Sequence, residues 1–356
     1  MTTRSDQTYR HLRGHYQELG LTVAIVACHA VLSTAFIYAV QDYPWELLIT
    51  ALSLASGGLT RLLGVSHWLI PFLPIVIWMA RGPDLQRRFA VAILQLLLCL
   101  LFMSFFAITK ISLTGAMNFY LDEWLHRADS ILHFGQSPVA LTHAVLGFIP
   151  GYVANYIYIT LWIIPATILP VVLSIYDRDA SRRVRFLLLY FFVWIGLGNF
   201  IALAGMSAGP VFYDRLIGSD TYAYLPDLLR MAGFQGTQIA ELQDKLWALY
   251  IQDKAIIGSG ISAFPSVHVG ISAIVGLYLI ECNRRLLPLG IAIPVVYLVL
   301  SVYTGWHYAI DGYFSIAAVV LVWFGLRRWM SSRQRGGEAF VGQPAPEGSA
   351  TLDPAE

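Results

Sequence analysis

Apolar residues run along this chain in blocks of roughly 17–25, parted by short polar clusters. A block of that length can cross a bilayer as a helix, which satisfies every backbone polar group within one segment. Eight blocks stand out: Leu21–Val40, Val65–Ala80, Phe89–Thr109, Tyr152–Tyr176, Phe186–Met206, Ile261–Ile280, Leu286–Gly305 and Tyr308–Leu326. The second is short and holds Pro71 and Pro74, so a kink is expected there. Trp45–Leu59 is apolar but shorter, which fits a re-entrant or interfacial helix or a ninth span. The pattern predicts an all-α polytopic membrane bundle over residues 21–335. A polar tail (1–20) precedes it. A tail rich in Gly, Pro and Ala (336–356), expected to be disordered, follows it. Leu21–Val40 exceeds the apolar core of about 7–15 residues in a cleavable signal, so it reads as an uncleaved first span.

Two connections are long. Lys110–Gly151 carries Leu121, Trp124, Leu125 and Leu132 at roughly helical spacing, among Tyr120, Asp122, Glu123, Asp129 and His133. It predicts a helix lying at the membrane interface. Ser207–Gly260 holds two helical stretches, Leu225–Met231 and Ile239–Ile251, and loops this long usually carry function or cover a site.

Basic residues sort the connections into two sets. With the N-terminus inside, sixteen of the 23 Lys and Arg fall on the inner side, each inner segment with its own cluster, such as Arg178, Arg182, Arg183 and Arg185. The positive-inside rule then predicts both termini in the cytoplasm. Composition agrees with a membrane chain: 57% of residues are apolar and 13% charged, about half the charge of a soluble domain. This excludes a soluble enzyme, a disordered chain and a disulfide scaffold. A net charge of +1 offers no basic field for nucleic acid. Cys28, Cys99 and Cys282 lie in or beside apolar runs and have neither disulfide nor metal-ligand spacing.

Function must therefore come from the few polar residues beside the spans. One segment is Ala263-Phe264-Pro265-Ser266-Val267-His268, another Trp306-His307-Tyr308-Ala309-Ile310-Asp311. Between the two histidines lie two apolar segments and a basic turn, Asn283-Arg284-Arg285. A path down and back returns the chain to the face it left, so both histidines are expected at the outer interface. His307 and Asp311 are four apart, a spacing that on one helix face lets a carboxylate orient an imidazole. Pro265-Ser266 suits a helix start, where free amides bind anions. The chemistry suggested is transfer of an anionic group, one histidine attacking phosphorus and the other protonating the departing oxygen. Two histidines and an aspartate suit zinc as well, but free amides favour an anion over a cation. His29 and His67 read as packing residues. Asn155, Tyr156, Tyr158 and Asn199 read as partners between helices.

At these residues the sequence resembles the type-2 phosphatidic acid phosphatase superfamily, whose pattern is Pro-Ser-x-His followed about two spans later by His-x-x-x-Asp. Pro265-Ser266-Val267-His268 and His307-Tyr308-Ala309-Ile310-Asp311 match it, and the motifs occupy about residues 199–315. The phrasing Ala-Phe-Pro-Ser-Val-His and His-Tyr-x-x-Asp looks most like the branch of inositol phosphorylceramide synthases. The resemblance implies that His307 is the nucleophile, forming a phosphohistidine, that Asp311 orients it, and that His268 is the general acid. The superfamily's Lys-x6-Arg-Pro has no counterpart. Its place falls on Ala202 to Gly209-Pro210, and Ser301 stands where an Arg often precedes the second histidine. Arg215 and Lys254 are candidates to replace that charge, with Ser266 and Tyr213 as further substrate-binding candidates.

The function expected is an integral-membrane lipid phosphatase or phosphotransferase working at the extracytoplasmic (periplasmic or lumenal) face, tilted toward head-group transfer. The partners expected are a membrane lipid and an alcohol acceptor, with no metal and no cofactor. Hydrolysis of a lipid phosphate such as phosphatidic acid or a polyprenyl phosphate is the alternative. A transporter or scramblase without chemistry is another.

Overall fold

The computed structural model describes the backbone of residues 4–66, 85–252 and 260–341, and side chains over 17–57, 85–252 and 260–332. The expected span Val65–Ala80, with its prolines, falls almost wholly outside the described residues, as do His67, Lys254 and Gly258. Every element among the described residues is helical. In chain order they are α1 (Arg4–Val40), α2 (Pro44–Ser66), α3 (Leu85–Ala116), α4 (Asp122–Leu132) and α5 (Pro138–Leu146). Next come α6 (Gly151–Tyr176), α7 (Ala180–Ala204), α8 (Pro210–Ile217), α9 (Leu225–Met231) and α10 (Gln238–Ile251). The chain closes with α11 (Val267–Cys282), α12 (Leu287–Tyr303) and α13 (Ala309–Val341).

Six of these helices are long and apolar enough to cross a bilayer. They correspond to six of the expected spans, and α11 corresponds to a seventh. It is shorter than expected, because Ile261 to Pro265 enters as irregular chain and the helix starts at Val267. Its 16 residues rise roughly 24 Å. Helix α3 in turn runs past its expected end at Thr109 to Ala116, which takes Lys110 into the helix. The terminal helices also pass their expected limits. Helix α1 begins at Arg4, inside the expected polar tail, and α13 continues to Val341, past the expected onset of disorder at 336. Trp45–Leu59 lies within α2, which packs Leu47 and Ala51 against Ile37 of α1 and Ile108 of α3.

The core lies where α6, α7 and α11 meet, filled by Trp162, Phe186, Tyr190, Trp194, Ile271 and Ile274. Helices α11 and α12 cross closely at Gly276 and Gly290. A Cβ on Gly276 would stand 2.1 Å from the Gly290 carbonyl oxygen, so only glycine permits this approach. Both α6 and α7 widen into π-helical turns, over Tyr156–Leu161 and Phe192–Ile201. Such turns recur at functional sites, and these two flank the cavity described below.

Helix α4 keeps part of its apolar stripe outward, as the interfacial reading expects, and buries a second, polar face. Its buried face is Asp122, Leu125 and Asp129, while Trp124 and Leu132 of the expected apolar stripe point outward. The reason is that both carboxylates find amide donors in the loops beneath them. The expected stretches at 225–231 and 239–251 are helices α9 and α10.

Candidate active site

Pro265 follows a cis peptide bond, and Ser266 caps α11, its hydroxyl accepting from the Val269 amide at 3.4 Å. His268 is the second residue of the helix. Its ring is clamped between Tyr158 and Trp162, with ring centroids 4.3 and 3.8 Å away and planes within 6° and 19° of parallel. Those two residues stand four apart on α6, at and just beyond its π-helical turn. The Trp162 indole N–H also donates to the His268 carbonyl at 3.2 Å.

His307 sits in the turn between α12 and α13, just after Gly305, whose φ of +72° suits glycine. Its Nδ1 lies 3.1 Å from Asp311 Oδ2, the pairing expected from the sequence. The geometry differs from one helix face, since α13 starts only at Ala309. Asp311 reaches back past the helix start and also accepts from the Tyr308 amide at 3.1 Å, half of a capping box. Asp311 is fully buried and His307 is 7% exposed.

Helix α4 holds this turn. Asp129 accepts from the Ala309 and Ile310 amides at 2.7 and 2.8 Å, neutralising the start of α13 from outside the helix. Asp122 accepts from the Ala208 and Gly209 amides and from the Tyr308 hydroxyl, each at 2.9 Å. The Val211 amide donates to Gly305 O at 3.0 Å, so the Ser207–Val211 segment and the His307 turn form one unit. Burial raises the pKa of both carboxyls, opposed by the hydrogen bonds they accept.

His268 and His307 line a single cavity of about 270 Å³, walled by Tyr158, Trp162, Trp194 and Trp306. Lys110 enters it from α3, its ammonium donating to Gly198 O at 3.3 Å. Burial, with a smaller contribution from the Lys110 charge, lowers the His307 pKa to about 3, against a hydrogen bond with the Ala263 backbone. His307 is therefore a neutral imidazole at physiological pH, the form that can attack.

The model of the PAP2 superfamily matches residues 123–327, more than half of the sequence and across both histidine motifs. This chain belongs to the PAP2 superfamily. Its chemistry is thus of the phosphatase and phosphoryl-transfer class, in an integral membrane protein. No curated protein and no solved structure matches the chain.

Within this PAP2 fold the structure brings His268, His307 and Asp311 together and leaves other expected residues apart. Arg215 lies over the Trp247 ring at 5.4 Å and lines a separate cavity of about 500 Å³. Tyr213 packs with His126, Tyr222 and Leu225 instead of the histidines. Ser266 is buried at the helix start, adjoining the cavity through Pro265 and Val267. Asn155 accepts from the Ile239 amide at 3.0 Å, and Asn199 bonds His29 at 3.0 Å, both as expected of packing partners. Three features escape the sequence reading: Lys110, the Tyr158–Trp162 clamp, and the Asp122 and Asp129 struts. Lys110 stands just past the expected end of an apolar run, far from either motif. A lysine there ordinarily reaches for the membrane surface.

Proposed function

We propose that this PAP2 protein transfers a phosphoryl-linked group from a membrane lipid through His307. His307 attacks phosphorus to form an N–P bond, the P–O bond to the leaving group breaks, and His268 hands that oxygen a proton. In the second half an acceptor hydroxyl gives its proton back to His268 and displaces His307, restoring both imidazoles. Asp311 holds the His307 tautomer and stabilises the charge the ring gains on attack. The observation that carries this reading is that both rings line one cavity, with a carboxylate behind one of them.

The acceptor favoured is an alcohol, giving head-group transfer of the inositolphosphotransferase kind. The phrasing of the two motifs, Ala263-Phe264-Pro265-Ser266-Val267-His268 and His307-Tyr308-Ala309-Ile310-Asp311, supports it by resemblance to that branch. The lipid donor enters between spans, and the distribution of Lys and Arg supports a site on the extracytoplasmic side. Hydrolysis of a lipid phosphate is the second reading, favoured by superfamily membership alone. Product analysis of the purified protein with a lipid donor, with and without inositol or a lipid alcohol, separates the two. A new phosphodiester product is expected only when acceptor is present. Release of the dephosphorylated lipid at the same rate without acceptor would favour the hydrolase.

A further inference from the structure

His268 must carry a proton before it can hand one to a leaving oxygen, and its surroundings oppose that. Stacked rings strip water from both faces of the imidazole, which disfavours its cation. His307 has the Asp311 carboxylate at 3.1 Å, but no carboxylate among the described residues pairs with His268. The charged and titratable groups that share its cavity are Lys110 from α3, Tyr158 from α6 and His307 from the turn before α13, with Asp311 behind His307. Trp194 of α7 and Leu242 of α10 bring no charge. Lys110, as a cation, adds to the penalty.

What His268 does have is an aromatic face on either side. The Tyr158 and Trp162 rings lie within 6° and 19° of parallel to it, with centroids 4.3 and 3.8 Å away. Two rings stacked that closely cannot share one face, so the imidazole is sandwiched. A cation within about 6 Å of a ring centroid is attracted by the ring's π electrons, most strongly where water is excluded. The π-helical turn over Tyr156–Leu161 leads from one clamp residue to the other. The Tyr158 hydroxyl has no hydrogen-bond partner among the described residues, so His268 meets the ring of Tyr158 and not its hydroxyl.

We propose that Tyr158 and Trp162 are positioning residues for the general acid: together they orient the His268 ring and stabilise its imidazolium, so that it holds a proton for the leaving oxygen. This rests on the phosphoryl-transfer reading and says how that site charges its acid. It also gives Tyr158 a second task beside the expected one of joining helices.

The test is the titration of His268 itself, followed by NMR on the full chain in nanodiscs with isotope-labelled histidine, its signal assigned by loss in His268→Gln. Leucine keeps the face dry but offers no π electrons. Trp162→Leu should therefore lower the pH at which His268 takes up its proton by about one unit, and Tyr158→Leu by somewhat less. Trp162→Phe and Tyr158→Phe, which restore a face, should recover most of the loss. Trp162→Phe still lacks the indole N–H that donates to the His268 carbonyl. Equal losses in Trp162→Leu and Trp162→Phe would assign the effect to that hydrogen bond and overturn the inference. So would a wild-type His268 that stays neutral from about pH 9 to about pH 4. In turnover of phosphatidylinositol the alkaline limb of kcat/KM should move down with the titration, because activity falls as His268 loses its proton. A limb that stays in place while the titration moves would overturn the link to catalysis. The titration needs no substrate, so it is decided apart from the phosphoryl-transfer reading, which fails separately if His307→Ala keeps full turnover.

Discussion

The two ends of α11 treat charge in opposite ways. At the C-terminal end Glu281 pairs with Arg185 at 2.5 Å. Nearby, Arg183 pairs with Glu18 at 2.7 Å inside the protein, and Arg182 makes a two-pronged contact with Asp177 at 2.6 and 2.7 Å. These arginines, topology signals in the sequence, are matched one to one by carboxylates. At the N-terminal end, roughly 20 Å away along the helix, Lys110 faces the two imidazoles and a backbone carbonyl, while Asp122 and Asp129 accept from backbone amides. The Tyr158 and Ser262 hydroxyls and the Trp194 and Trp306 indole N–H groups, on residues that line the cavity, find no hydrogen-bond partner among the described residues. One end cancels its charges and holds the bundle together. The other leaves polar capacity inside a cavity, the arrangement of a site that awaits an anion.

Breaking each end should therefore produce different losses. The largest effect is expected from His307→Ala, which should remove turnover by a factor on the order of 10³ or more while the protein still elutes as the wild type does. Lipid turnover and size-exclusion profiles measured together check this. Arg183→Met should do the reverse. It leaves Glu18 buried without its partner, at about 3–5 kcal/mol of stability, with the activity per folded molecule unchanged. Thermal unfolding in detergent, beside turnover normalised to the folded fraction, reads both quantities.

Asp129→Asn lies between the two. Its carboxylate accepts two amide hydrogen bonds at the start of α13, and weakening them should cost about 1.5–3 kcal/mol and loosen the His307 turn. A fall in kcat with KM nearly unchanged would place the residue in positioning; a rise in KM alone would place it in binding.

The smallest effect concerns pH. The folded pKa of His307 lies near 3, below its unfolded value of about 6.5. Between those values the unfolded chain takes up a proton that the folded protein refuses. The contribution of this group is full above about pH 6.5 and falls as pH drops, by about 2 kcal/mol at pH 5. His307→Asn should show a correspondingly shallower loss of melting temperature between pH 7.5 and 5, and parallel curves for the two proteins would contradict the assignment.

The spans were legible because membrane helices announce themselves by apolar length alone. The pairing of His268 with His307 was legible because two spans between them force a return to one face. Element boundaries were not. Pro265 delays α11 to Val267, and nothing in the apolar pattern marks Lys110 as inside α3. In helix α4 the apolar pattern marks the outward face of Trp124 and Leu132 but not the buried face. Its placement is decided by where Asp122 and Asp129 find amide donors, all of them at least 86 positions away in sequence. Arg215 and Tyr213 lie near a motif in sequence, yet Arg215 stacks on Trp247 and Tyr213 packs on His126 and Tyr222, away from the histidine cavity. Long-range polar partnership is the information that hydrophobic periodicity does not hold.

The measurement that bears most directly on the chemistry is the capture of the covalent enzyme. Incubation with a phosphorus-labelled lipid donor, followed by a quench in base and mass spectrometry of the peptides, should find the phosphorus-bearing group on His307. It should be absent from His307→Ala. Label on the His268 peptide would contradict this chemistry, as would unlabelled His307 during steady turnover.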